Sequence, residues 1–196
     1  MTQLTILLPA AGASRRMRGR DKLVEEIGGQ PLLRRQVIVA LGTGTPVLVT
    51  LPAEDGARAR ALAGLDCTRV TVGDPAEGMA ASLRAGHAAA DAGHALMVLL
   101  PDMPDLTTDD LARMIARFST HPDTVLRATS EDGVDGHPVI LPARQRARIP
   151  ALRGDTGARS LIANEKVARL ALPGNRATTD LDTPEAWARW RARQAG

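Results

Sequence analysis

Seven short runs rich in Val, Leu and Ile, at 4–8, 46–51, 69–72, 95–100, 124–128, 138–141 and 167–172, recur along the 196 residues, separated mostly by stretches with helical spacing. Such alternation is the pattern of an α/β sheet in which parallel strands are covered on both sides. The first run, Leu4 to Leu8, is continuously apolar, as a strand buried on both faces must be, and Pro9 is expected to stop it. Helix signals fill several of the gaps. Pro31 can open a helix carrying Leu32, Leu33, Val37 and Leu41, "TTDDLARMIARF" supplies a Thr cap and an acidic first turn, and "DTPEAWARW" reads the same way. No internal repeat, low-complexity tract or linker divides the chain, so residues 1–196 are expected to form one domain. The expected fold class is α/β and Rossmann-like, with a mainly parallel sheet and helices on both faces.

Charge narrows the ligand. The formal net charge is only +3, yet five basic residues, Arg15, Arg16, Arg18, Arg20 and Lys22, crowd one stretch. That pattern favours a local anionic ligand over a broad basic face. With no Tyr, one Phe and two Trp, the chain lacks the aromatics of a base-stacking platform, so nucleic acid is not an expected partner. The four histidines, at 87, 94, 121 and 137, show no paired metal-ligand spacing, which argues against zinc. A lone Cys67 and no long apolar run predict a chain without disulfides or a membrane partner, and a cytoplasmic location.

The order of parts in "LTILLPAAGASRRMRGRDK" then becomes informative. In open α/β sheets ligands sit beyond the carboxyl ends of strands, where this small-residue loop follows the first strand. Ala10, Ala11, Gly12, Ala13 and Ser14 would let backbone N–H groups approach phosphate oxygens, while Arg15, Arg16 and Lys22 neutralise charge. The loop is neither GxxxxGK[ST] nor GxGxxG, which tells against a P-loop ATPase and a nicotinamide-dependent dehydrogenase. The same residues also fit a tight turn followed by a solvated basic loop.

Asp102, in the "PDMP" turn after "ALMVLL", would lie at the same sheet edge and could hold Mg²⁺ against bound phosphate, or could merely begin a turn between prolines. Asp180 and Asp182, spaced by two, would point to one side of an extended segment, although Asp182 and Thr183 before Pro184 also suit a helix start. "EGMAASLRAG" reads on its own as a tight Gly turn leading into a helix start. His137 precedes a proline at the mouth of a strand, where it would either meet an anionic acceptor or remain a lone surface histidine. Asp155 in "RGDTGAR" is expected to cap a helix carrying Arg159, and Trp187 and Trp190 are expected to pack.

The motifs "LPAAGASRRMRGRDK", "GGQPLLRRQV", "GMAASLRAG", "LLPDMPDLT", "GHPVIL", "LRGDTGARSLI" and "DLDTPEAW", taken in order, resemble the MobA-like nucleotidyltransferases, most closely the molybdenum cofactor cytidylyltransferases. The resemblance implies a nucleotide-diphospho-sugar transferase type of fold and transfer of CMP from CTP to a molybdopterin-type phosphate, with Mg²⁺ as cofactor. It implies that Arg16, Lys22 and Asp102 act in catalysis. Residues 10–16, Lys22, Gly78 and Ser82 would bind nucleotide, with Leu83 beside them as a further contact, Asp102 and Asp182 would bind metal, and His137, Asp155 and Arg159 would face the acceptor. A molybdoenzyme or its chaperone is the implied macromolecular partner. Pro9, where the family commonly has Leu, and Pro101 and Met103, in a motif more often "ADQP", are departures. Other readings stay open: a sugar- or polyol-phosphate acceptor with CTP or GTP, and a non-catalytic carrier of a nucleotide-bearing cofactor.

Overall fold

The computed structural model describes residues 3–154, 157–163 and 165–194. Within them a seven-stranded sheet has the order β5-β4-β1-β6-β8-β7-β9. The strands are β1 (Leu4–Pro9), β4 (Val47–Leu51), β5 (Thr68–Thr71), β6 (Ala95–Val98), β7 (Val125–Thr129), β8 (Asp135–Leu141) and β9 (Val167–Ala171). A small separate hairpin pairs β2 (Glu26–Ile27) with β3 (Gln30–Pro31). Only β8 among the sheet strands runs against its neighbours; the other pairings are parallel.

Side-chain alternation along β1 sorts the core into two layers. Leu4, Ile6 and Leu8 pack with Leu33 and Val37 of α1 (Leu32–Leu41) and with Leu111, Met114 and Phe118 of α4 (Thr108–Ser119). Leu7 points the other way, into a layer with Ala80 and Leu83 of α3 (Met79–Ala89) and Leu161 of α6 (Ala158–Ile162). Short helices α2 (Ala57–Ala61) and α5 (Ala143–Arg146) and the last helix, α7 (Pro184–Gln194), complete the described α-helices, beside three single 3-10 turns at Arg15–Met17, Pro75–Glu77 and Ile149–Ala151. Helix α4 begins on a reciprocal cap, in which Thr107 accepts from the Asp110 N–H and Asp110 accepts from the Thr107 N–H.

Two boundaries differ from the sequence reading. Pro9 does not end the strand before itself; it pairs with Thr50 as the last residue of β1, and its missing N–H falls where β6 has already finished at Val98. Strand β8 begins at Asp135, three residues earlier than its apolar run, because Asp135 pairs with Thr129 and the His137 N–H donates to the Ala177 carbonyl at 2.8 Å. The β2–β3 hairpin, turning at Gly28–Gly29, was not foreseen because its strands are too short to show a period.

Candidate active site

At the carboxyl ends of β1 and β6 lies a cavity of about 620 Å³. Gly12, Ala13, Ser14, Arg15, Arg16, Lys22, Gly78, Ser82, Asp102 and Asp182 line it, which unites residues from four separate stretches of the chain. A larger cavity, of about 840 Å³ beside Trp190, Arg35 and Arg176, contains none of these groups.

Each wall has a local cause. The basic loop makes one short turn, Arg15–Met17, flanked by Ser14 and Arg18 in left-handed conformations (φ 50° and 53°). Met17, the apolar residue inside the basic run, is fully buried with Leu32, Leu181, Trp187 and Trp190. Leu181 adjoins Asp182, and its N–H donates to the Asp102 carbonyl at 3.0 Å. One small apolar cluster therefore brings the arginines and the second carboxylate together. Gly78 opens α3 at φ 104°, ψ −155°, a backbone region that side chains resist, and so brings the chain close to the cavity.

Lys22 connects the carboxylates. Its Nζ donates to Asp102 Oδ2 and to Asp182 Oδ1, each at 2.5 Å, and Arg16 Nη2 lies 2.5 Å from Asp182 Oδ2. Burial disfavours the Lys22 charge, but the two carboxylates outweigh it and raise the ammonium above the usual lysine range. Burial likewise opposes ionisation of Asp182, and Lys22 and Arg16 overcome it to hold the carboxyl below its ordinary value. Asp102 is 7% exposed, and its second oxygen, Oδ1, is buried with no hydrogen-bond partner. An acceptor-only atom left unpaired beside a second carboxylate is what a hard divalent cation would use. The two carboxylates thus fit such an ion, with phosphate oxygens and water left to complete its shell; no group of three or more His, Cys, Asp or Glu among the described residues forms a cage of its own.

Several expected contacts are corrected. Ala10 cannot offer its amide to a phosphate, because that N–H donates to the Thr50 carbonyl at 2.9 Å and the side chain is fully buried. Leu83 is fully buried in the core below α3; the Ala11 side chain packs against Val72 and Ala81, a burial that concerns its methyl group and not its backbone N–H. The lining of the loop begins at Gly12. Asp180 does not line the cavity with Asp182; its residue surface is largely exposed, and partial desolvation of its carboxyl on the side facing the protein, with the charges of Asp182 and Asp102, raises its pKa. His137 is not a surface histidine: it is half-buried, and burial lowers its pKa, opposed by the Val98 backbone and the Asp102 charge. It does not line the cavity. Asp155 and the Arg159 side chain lie outside the described residues. Trp187 and Trp190 pack as expected, with Trp190 Nε1 donating to Asp105 at 2.7 Å.

Sequence reasoning missed Arg58 and Asp21. Arg58 Nε and Nη2 reach the two Asp21 carboxylate oxygens at 2.7 and 2.8 Å beneath the loop. Burial pushes the Asp21 carboxyl up, but Arg58, the Leu23 N–H and the Ser14 hydroxyl outweigh it and hold it below its usual value. The only local hint was the "RDK" triplet, in which a single acid, Asp21, interrupts the basic run.

Known proteins share this arrangement of elements. A crystal structure of Rv0371c from Mycobacterium tuberculosis H37Rv superimposes with a TM-score of 0.83 at 26% identity, covering 96% of this chain and 97% of that one. The same mycobacterial protein in complex with manganese gives 0.80 at 26% identity, with the same coverage. Nicotine blue oxidoreductase of Paenarthrobacter nicotinovorans is 27% identical over 168 residues, 81% of each chain. CMP:2-keto-3-deoxy-manno-octonic acid synthetase complexed with CTP, at 14% identity and a TM-score of 0.77, shares the fold. Residues 6–170 match the MobA-like NTP transferase domain over most of the chain, from the first strand to the last, so the protein belongs to the MobA-like nucleotidyltransferases.

Proposed function

We propose that the enzyme transfers CMP from CTP to the phosphate of a molybdopterin-type acceptor and releases pyrophosphate, with a divalent cation, Mg²⁺ or Mn²⁺, as cofactor. The observation that carries the reading is the convergence of Gly12, Arg15, Arg16 and Lys22 with Asp102 and Asp182 around one cavity. A phosphate monoester is already an anionic nucleophile, so no general base is required to activate it. Its oxygen would bond to the α-phosphorus of CTP as the bond from that phosphorus to the bridging oxygen breaks, and the electron pair leaves with pyrophosphate. Asp102 and Asp182 would hold the cation, and the unpartnered Asp102 oxygen is its natural ligand. When bound, the ion supplies Lewis-acid stabilisation of charge on the phosphates. Arg15 and Arg16, exposed at the cavity rim, would meet the β- and γ-phosphates, and Lys22 would share its charge between carboxylates and triphosphate. "AAG" at 10–12, as in CTP-using relatives of the resemblance, supports cytidine over guanosine. The manganese complex of the mycobacterial protein supports a divalent cation.

The test is pyrophosphate release with CTP or GTP, Mg²⁺ or Mn²⁺, and molybdopterin, methylerythritol phosphate or other sugar phosphates as acceptors. CTP with molybdopterin should give the fastest initial rate. Faster release with GTP would replace the base assignment, and faster release with a sugar phosphate would replace the acceptor. Tight binding of a nucleotide-bearing cofactor without any release would favour a carrier. The oxidoreductase name of one relative adds a control, consumption of reduced nicotinamide cofactor, for which the loop lacks the three-glycine fingerprint.

A further inference from the structure

Beneath the basic loop lies a buried cation to which the catalytic reading gives no role. Arg58 of α2 is 6% exposed. Its Nη1 donates to the Ala10 carbonyl at 2.6 Å, its Nε and Nη2 grip the two oxygens of Asp21, and Nη2 also reaches Ser14 Oγ at 3.1 Å. These acceptors are the first residue after β1, the left-handed residue before the arginine turn, and the residue directly before Lys22. Asp21 extends the network by accepting from the Leu23 N–H at 3.0 Å and from the Ser14 hydroxyl at 3.2 Å.

The geometry points to Arg58 as a positioning residue for the nucleotide: one guanidinium fixes the entrance, the strained turn and the exit of the loop, so that Arg15, Arg16 and Lys22 face the cavity before any anion arrives. This rests on the reading of that cavity as the triphosphate site. Between Ala10 and Asp21 the described chain forms no sheet pairing, and Met17 supplies its buried apolar anchor. Ser14 at φ 50° is a conformation non-glycine residues seldom hold unless their surroundings impose it, and its side chain is bonded on both sides by Arg58 and Asp21. Gathering Arg15, Arg16 and Lys22 around one cavity sets like charges near one another, a cost that Asp102 and Asp182 offset only in part and that an unsupported loop would relieve by letting the arginines swing away. A ligand would have to order such a loop on arrival, so a preset loop binds it more tightly. A lysine at 58 could keep the charge but not the fork that engages three acceptors together.

The experiment compares wild type with Arg58→Lys and Arg58→Ala. Three quantities are measured: amide hydrogen exchange over residues 10–23, exchange over β1, β4 and β6, and CTP affinity without metal by calorimetry. Arg58→Lys, which keeps a buried charge beside Asp21, should retain slow exchange in the strands, speed exchange in 10–23, and weaken CTP binding by at least about tenfold, the scale of losing charged hydrogen bonds. Arg58 also borders a cavity of about 300 Å³ beside Gly12 and Arg15, which gives a small cation access. Millimolar guanidinium should therefore restore both loop protection and CTP affinity to Arg58→Ala, and ammonium at equal ionic strength should not. Unchanged exchange and affinity in Arg58→Lys would overturn the proposal. So would faster exchange throughout the strands with no rescue by guanidinium, which is what a merely structural arginine predicts. If wild type bound neither CTP nor GTP, the nucleotidyl-transfer reading would fall. Loop exchange and its rescue by guanidinium would still decide for or against Arg58 as the residue that sets the loop.

Discussion

Lys22 Nζ and Asp182 Oδ1 stand 2.5 Å apart although 160 residues separate them in the chain, and the same ammonium is 2.5 Å from Asp102. A positive charge thus already occupies the space between the two carboxylates that fit a divalent cation. Lys22→Met should remove that competitor. Mn²⁺ binding to the nucleotide-free protein, followed by the loss of the free-ion paramagnetic signal, should tighten by about tenfold or more, while CTP affinity falls. An unchanged Mn²⁺ affinity would mean that the ion binds elsewhere.

Asp102→Ala should lower kcat by at least about a hundredfold, the scale of a lost electrostatic contact in the transition state. CTP binding without metal should survive, since the arginines and Lys22 remain. Steady-state kinetics beside metal-free calorimetry separates the two effects, and full activity in Asp102→Ala would end the metal role of this carboxylate.

Acid stability should depend on Glu77. Its side chain pairs with Arg84 and accepts from the Gly154 N–H, tying the start of α3 to the segment after Leu152. The Arg84 bond is the main cause that lowers its pKa from 4.5 to about 2. Because the folded value lies below the unfolded one, the folded state binds the proton less readily. The contribution is therefore present above 4.5 and is lost as pH falls toward 2. Thermal midpoints measured across that window should fall less steeply in Glu77→Gln than in wild type. Lys22 acts at the other end: its raised pKa gives stability that is complete below 10.5 and disappears as pH rises through the higher folded value.

Gly136→Ala should destabilise the fold by about 3 kcal/mol, the upper range for overpacking. A Cβ at this position would lie 1.9 Å from the Ala177 carbonyl oxygen, backbone that cannot rotate aside. Ala177 also accepts from the His137 N–H and lies a few residues before Asp182. Chemical denaturation should show the loss of stability, and Mn²⁺ affinity should weaken with it as the second carboxylate shifts. Wild-type stability would mean that this segment moves freely.

The strands were legible because each is a local preference repeated over several residues. All seven apolar runs became strands of the sheet, most with ends within two residues of the reading. Thr107 caps α4 and Pro31 precedes α1 as their side-chain and backbone chemistry requires. The small-residue loop was legible too, since a break from apolar to glycine and arginine directly after a strand has a specific place in a parallel sheet.

Everything that depends on which strands lie side by side was decided by tertiary structure. Placing β1 beside β6 brings the basic loop to Asp102, and burial of Met17 with Leu181 brings Asp182 to both. The same packing uses the Ala10 amide for pairing with β4 and leaves Gly12 as the first loop residue at the cavity. Arg58 illustrates the limit most directly. In "GARARA" it is one of two alternating arginines, indistinguishable from its neighbour by composition or period. Only after α2 packs beside the loop does Arg58 become buried on Asp21, while Arg60 bonds the nearby Asp55 carbonyl. Hydrophobic period and capping are free energies of a few adjacent residues, so the sequence determines them by itself. Ion-pair partners and orphaned oxygens depend on distances that exist only once the whole sheet has closed around them.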